Sequence, residues 1–360
     1  MAAQESYKKQ SDIARLEKLR KMEKELPVVC SDFFRSISQT SSTLTRLAYA
    51  YDFRLFFQFL IKENPLFAEK DMRFMASEDF AKVKVRDIEM FQDYLTQYYV
   101  NDEETGESHV VQNHELGIMR KLCSLRSLFE YMFKNGIVEA NIATLVSLPK
   151  IHEKPILRLE TDEMQKMLDA VYSGEGLSDH QKKVSENTKK RDLAIILLFL
   201  GTGIRVSECV GINLDDIDME NKAFVVTRKG GDQSMLYLPD SVAEALEIYL
   251  DERMKVEAVE GHENALFLSL QRKRITQRAV QNLVKKYALI AAPLKKRISP
   301  HKLRSTFGTN LYEETGDIYL VADVLGHTDV NTTRKHYAAM TDQHKREAAR
   351  RIALPTKKEE

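Results

Sequence analysis

The chain has 360 residues, enough for two domains that each bury a core of their own. Its 43% hydrophobic and 30% charged residues suit a helix-rich soluble protein, and the longest purely apolar run, "LAIILLFL", falls far short of the ~20 residues needed to cross a bilayer. The 54 basic side chains equal the 54 acidic ones, so no global charge names a partner. The opening "MAAQESYKKQ" lacks the apolar stretch of a secretion signal, and Cys30, Cys123 and Cys209 show neither metal nor disulfide spacing. A reducing, cytoplasmic setting without a membrane partner is expected.

Residues 1–27 are dominated by charge ("ARLEKLRKMEKELP") and read as an extension forming an exposed or partly disordered helix that stops at Pro27. From 28 to 146 the pattern is helical. "STLTRLAYAYDFRLFFQFLIKENPLF" places Leu44, Leu47, Ala48, Tyr51, Leu55, Phe56 and Phe59 three and four apart, which predicts one buried stripe. "VRDIEMFQDYLTQYY" and "ELGIMRKLCSLRSLFEYMFKNGIV" repeat the period until Gly136 ends it, giving a small all-α domain. Residues 147–160, with two prolines and no amphipathic period, read as a linker.

A second domain over 161–341 opens with Thr161 as the expected N-cap of "DEMQKMLDAVY". A polar loop near 173–188 precedes the buried helix "RDLAIILLFL". "KAFVVTRKGG" answered by "SMLYLP" predicts a hairpin with a turn longer than two residues. Helices resume to the end, and the tail at 342–360 carries only Ala348, Ala349, Ile352, Ala353 and Leu354 on a short helix, too little for a core. Between Glu263 and Glu313 lie 49 residues without Asp or Glu but with 11 Lys or Arg, including Arg272, Lys273, Arg274, Arg278, Lys302 and Arg304. A folded block of one sign repels itself unless a polyanion or an acidic surface compensates it, and it suits nucleic-acid phosphates.

Four segments of the second domain hold residues that make little sense as core. In "GTGIRVSECVGINLDDID" two glycines break the buried helix, Arg205 begins the next element, and Glu208 stands three residues on to hold it. In "TRKGGDQ", Lys229 sits where a strand meets its turn. In "SPHKLRSTFGTN", Ser299 and Pro300 are N-cap and first helical residue, so His301 and Arg304 share one face of the first turn at the positive helix end. "LGHTDVNTTRKHY" adds His327 and Tyr337. No carboxylate pair or Cys/His cluster accompanies them, so neither a metal nor another cofactor is expected. Two arginines can clamp the non-bridging oxygens of a phosphodiester, a Tyr ester can store bond energy for rejoining, and a Lys ammonium can protonate the leaving 5′ oxygen.

"GTGIRVSE", "TRKGG", "SPHKLRSTFGTN", "LGHTDV" and the following Tyr, in this order and spacing, resemble the tyrosine recombinase (phage integrase/Xer-like) family. Upstream, "LCSLRSLFEYMFKNGIVEANIATLVSLPK" looks like the last helix and exit of that family's core-DNA-binding domain, so the likeness spans roughly 28 to 342. It implies a mainly α protein with a small β-sheet: an N-terminal all-α (SAM-like) core-DNA-binding domain and a C-terminal α/β catalytic domain, together a C-shaped clamp around duplex DNA. It implies that Arg205 and Arg304 clamp the phosphate, Lys229 is the general acid, His301 shuttles a proton, His327 is a hydrogen-bonding second histidine and Tyr337 is the nucleophile. It implies a tetramer of identical chains, or one mixed with a paralogue, on double-stranded DNA bearing an inverted-repeat site, with the tail docking on the next protomer, in a cytoplasmic, nucleoid-associated setting.

One departure stands out. "TTRKHY" places Tyr337 one residue later than in many relatives, with His336 in the usual slot, and on a helix that extra residue turns a side chain by about 100°. His336 makes no comparably stable ester, so Tyr337 is kept, with Tyr312 as second choice. A type IB topoisomerase shares this chemistry. A non-catalytic DNA-binding clamp is the alternative of another class, and it is expected to lack one or more of the six reactive residues.

Overall fold

The computed structural model describes residues 7–101, 108–151, 157–228, 231–327 and 329–330, and the chain divides into two compact units, Met1–Lys154 and Pro155–Glu360. No helix among them is long and apolar enough to cross a membrane.

The first unit contains α1 (Tyr7–Glu23), α2 (Val28–Ser36), α3 (Thr43–Glu63), the single turn α4 (Ser77–Phe80), α5 (Val85–Tyr94), β1 (Gln97–Asn101), β2 (Ser108–Gln112) and α6 (Glu115–Lys134). Its core is aromatic. Phe33, Phe34, Phe53, Phe56, Phe57, Phe91 and Phe129 are buried within one cluster, with edge-on pairs such as Phe56–Phe91 at 5.1 Å. The buried face of α3 keeps Leu47, Phe56 and Phe59 of the expected stripe but is wider and shifted from it. Ala50, Phe53, Phe57 and Leu60 face inward, while Leu44 and Tyr51 are exposed, because the larger rings take the interior. Arg120 of α6 grips the buried Asp52 of α3 through two contacts of 2.6 Å, which fixes these helices in register.

Two features differ from the sequence expectation. Residues 7–23 are a docked helix: Leu19 and Met22, with Leu26 beyond, are buried, and α1 packs along α3. Three well-spaced apolar residues suffice when the receiving surface is aromatic. The unit also carries an antiparallel hairpin, β1 paired with β2 from Gln97↔Gln112 to Asn101↔Ser108, which helical periodicity upstream does not foreshadow.

The second unit contains α7 (Thr161–Ser173), α8 (Asp179–Glu186), α9 (Lys189–Thr202), α10 (Val206–Gly211), β3 (Ile217–Asp218), β4 (Ala223–Thr227), β5 (Gln233–Tyr237), α11 (Asp240–Arg253), α12 (Gln277–Ala291), α13 (Pro300–Thr315) and α14 (Ile318–Leu325). The apolar run 193–199 makes α9 the central helix, buried from Leu193 to Phe199 except Leu197, with α7, α11 and α13 packed around it. β3, β4 and β5 form an antiparallel meander in that order. The N-cap of α7 is Glu160 rather than Thr161; its N–H donates to the Glu163 carboxylate at 2.8 Å, and Thr161 is already helical. The supposed polar loop at 173–188 contains α8, capped by Ser178, whose hydroxyl accepts from the Gln181 N–H.

Candidate active site

The site begins where α9 ends. The helix runs on through Gly201 and stops at Gly203, whose φ of +62° lies in the left-handed region. The break expected from two glycines therefore comes from one. A Cβ on Gly203 would fall 2.3 Å from Cδ1 of Phe307, so the missing side chain lets α13 lie against the turn. Arg205 follows as the N-cap residue of α10. Its backbone N–H donates to Glu208 Oε2 and its Nη1 to Oε1, each at 2.8 Å. The Glu208 side chain is 1% exposed and that of Arg205 31%, so a buried carboxylate anchors a guanidinium that reaches the surface.

Helix α13 supplies the second group. Ser299 is its N-cap in extended backbone and Pro300 its first residue, as read; the Ser299 hydroxyl makes no capping hydrogen bond, so the start rests on backbone conformation and proline. Arg304 is buried and donates from Nη1 to the Gly203 carbonyl at 2.6 Å. His301, one turn earlier, shows at the surface. Its pKa lies below the ordinary imidazole value because part of the ring has lost its hydration, and then because Lys302, Arg304 and Arg205 oppose a further positive charge. These charges act on one ring, so Arg205, His301 and Arg304 share one neighbourhood.

A histidine depressed in the folded state binds its proton less readily than in the unfolded chain, so its contribution is intact above the unfolded value and is lost as pH falls toward the folded one. In an NMR titration His301 is expected to have a midpoint below about 6.5, moving upward in Arg205→Met. A midpoint at or above that of a free histidine would contradict this electrostatic picture.

The third component is the C-terminal end of α14. Gly326 closes it at φ +59°, with Gly326 N–H bonded to Asp323 O at 2.8 Å and His327 N–H to Ala322 O at 2.9 Å, a Schellman turn. That leaves the next three carbonyls without helical partners. Arg228 takes Val324 O at 3.0 Å, Arg304 takes Leu325 O, and Arg205 takes Gly326 O at 2.9 Å. Three guanidiniums from three elements thus cap the negative end of one helix, immediately before His327. A Cβ at Gly326 would sit 2.9 Å from Arg228 Nε. Gly326→Ala is therefore expected to cost about 1–3 kcal/mol in urea unfolding from the left-handed backbone alone. An unchanged midpoint would show that the turn relaxes freely.

Arg228 escaped the sequence reading, which took its neighbour Lys229 as the cation of the hairpin. Its Nη1 lies 3.2 Å from Glu208 Oε2, so one carboxylate serves two guanidiniums. No periodicity separates the two adjacent cations; only the buried carboxylate three residues after Arg205 hinted at more than a surface pair. Lys229 and Tyr337 lie outside the described residues. Tyr312, the second choice for the nucleophile, is buried with Val321 and Leu325 between α13 and α14 and belongs to the core.

The basic block divides. Arg272, Lys273 and Arg278 are exposed, and Lys302 is half-buried. Arg274 differs from them: its guanidinium turns inward, donating to Val210 O and Ile212 O at 2.9 Å and to Asn213 Oδ1 at 2.6 Å, so it ties loops together. Lys286 and Lys295 find the acidic partners that their own stretch lacks, in Asp192 and Glu163.

Three guanidiniums thus meet at the C-terminal end of α14 directly before His327, and His301 lies in the field of two of them, a concentration of positive charge that suits an oxyanion. The Phage integrase family matches residues 158–344. Tyrosine recombinase XerC of Caldanaerobacter subterraneus subsp. tengcongensis is 34% identical over 337 residues, covering 91% of this chain and 87% of the relative. Tyrosine recombinase XerS of Streptococcus uberis is 30% identical over 354 residues, covering 92% and 97%. The chain belongs to the phage integrase family of tyrosine recombinases. Two solved structures share its fold at 20% identity. One is the Tn1549 transposon integrase with a circular intermediate DNA (TM-score 0.62, covering 90% of this chain and 99% of that one). The other is XerH site-specific recombinase bound to difH substrate (TM-score 0.59, covering 86% and 80%).

Proposed function

We propose that the chain is a site-specific recombinase of the Xer type that cuts and rejoins duplex DNA through Tyr337. Arg205 and Arg304 hold the scissile phosphate. The Tyr337 oxygen attacks phosphorus as its proton passes to His301, the bond to the 5′ oxygen breaks, and that oxygen leaves as a hydroxyl with a proton from Lys229. A 5′ hydroxyl from the partner duplex then attacks the 3′-phosphotyrosyl ester, returning a proton to Lys229, and the phenol leaves with the proton held by His301, so strands are exchanged with no net change in bonds or protons. In this reading residues 28–146 embrace the core site, His301 and His327 support proton and phosphate positioning, and exposed Arg272, Lys273 and Arg278 meet the backbone. Four protomers assemble on an inverted-repeat site in the nucleoid, their tails docking from one to the next.

The observation that carries the proposal is the gathering of Arg205, Arg304 and His327 at the α14 end, with His301 in the same field. The names of the relatives that match most of the chain support recombination over supercoil relaxation. The test is a nicked duplex bearing an inverted repeat that the protein selects from a randomised duplex pool. Incubation in excess EDTA is expected to yield a protein–DNA adduct, and mass spectrometry is expected to place it on Tyr337. An adduct that forms only with added magnesium, or on another residue, would overturn the reading.

A further inference from the structure

Arg228 has no part in the scheme above, yet it is the most enclosed cation around Glu208. The residue is 8% exposed, and its side chain runs between the foot of the β4–β5 hairpin and the last turn of α14. The hairpin foot holds it from the backbone side, its N–H donating to Asp232 O at 2.7 Å and its carbonyl accepting from Gly231 N–H at 3.0 Å. Its Nη1 reaches Glu208 Oε2 at 3.2 Å and its Nη2 reaches Val324 O at 3.0 Å.

The charges decide what this arrangement does. Arg205 and Glu208 alone make a neutral pair, and a buried carboxylate 2.8 Å from a guanidinium cancels most of the field that guanidinium sends outward. Adding Arg228 makes the trio net positive. Glu208 Oε2 is then occupied by Arg228 and by the Arg205 backbone N–H, and only Oε1 faces the Arg205 guanidinium. The carboxylate aims Arg205 without neutralising it.

We infer that Arg228 is a positioning residue for the phosphate clamp: it offsets the charge of Glu208, so that Glu208 orients Arg205 while Arg205 keeps its positive charge for the scissile phosphate. The inference rests on the proposed recombinase reading. It assigns Arg228 an effect on the chemical step rather than on DNA affinity, because its own side chain is enclosed.

The experiment uses full-length protein and the nicked selected duplex described above, with single-turnover adduct formation and DNA-binding affinity measured side by side. Arg228→Met is expected to slow adduct formation by about 100-fold, the scale on which one preorganised donor acts, with affinity changed less than about threefold. Arg228→Lys, which keeps the charge, is expected to recover at least about tenfold of that loss. Glu208→Gln combined with Arg228→Met removes the charge together with its balance and is expected to outpace Arg228→Met alone. Equal losses in the Met and Lys variants, with no recovery in the double variant, would overturn the inference and leave Arg228 a packing residue. If Arg228→Met does not fold, Arg228→Gln, which retains hydrogen bonding without charge, takes its place in the same comparison. Failure of the wild-type protein to form any adduct would instead sink the recombinase reading on which the inference rests.

Discussion

Tyr337→Phe is expected to bind the selected duplex with unchanged affinity and to form no covalent adduct, a loss of at least about four orders of magnitude in rate. Removing one oxygen leaves the cationic side chains untouched, so binding through the basic surface continues. What disappears is the only atom able to form the phosphotyrosyl ester in this scheme. The comparison with His336→Ala sharpens the result, since the shifted spacing in "TTRKHY" puts His336 where many relatives carry the tyrosine. His336→Ala is expected to retain adduct formation. Adduct on Tyr337→Phe that vanishes on Tyr312→Phe would reassign the nucleophile, although the burial of Tyr312 in the α13–α14 core speaks against that outcome.

Glu208→Ala is expected to produce the largest loss of stability of any single change at the site. The carboxylate is 1% exposed and holds two guanidiniums, one of them in a side chain only 10% exposed. Its removal leaves like charges facing one another with no counter-ion, and breaking a buried pair in this way costs about 3–5 kcal/mol. For a unit of this size each kcal/mol lowers the melting temperature by roughly 2–4 °C, so a fall on the order of 10 °C is expected by calorimetry. Glu208→Gln, which keeps the shape and one acceptor, is expected to lose less. A melting temperature within a degree or two of wild type for Glu208→Ala would show that water replaces the carboxylate, and the shared-anchor description would fail.

Much of this was legible in the chain itself, for reasons that differ by residue. Ser299 and Pro300 announced the start of α13 because proline fits only the first turn, and that start places His301 and Arg304. The apolar run in α9 could only be a central helix. The β4–β5 hairpin was visible as a strand-like run answered across two glycines, whereas β3, only two residues long, gave no such signal. Other features depend on what lies across from a residue, which one sequence does not state. Arg274 looks like any exposed cation until the carbonyls of Val210 and Ile212 come to meet it. Arg228 is chemically indistinguishable from its neighbour until a buried carboxylate selects it. The charged first helix carries too few apolar residues to advertise burial, and only the aromatic surface of α3 makes Leu19 and Met22 core.

The triple capping of α14 also bears on how the site tolerates error. Its donors arrive from the α9–α10 junction, the β4–β5 hairpin and α13, yet all three refer their position to consecutive carbonyls of one peptide stretch. A displacement of that stretch carries Arg205, Arg304 and the following histidine in the same direction, so their mutual spacing is preserved while the frame as a whole drifts. Misalignment in such a design is collective, and under the proposed scheme a single phosphate seated against the frame corrects it collectively.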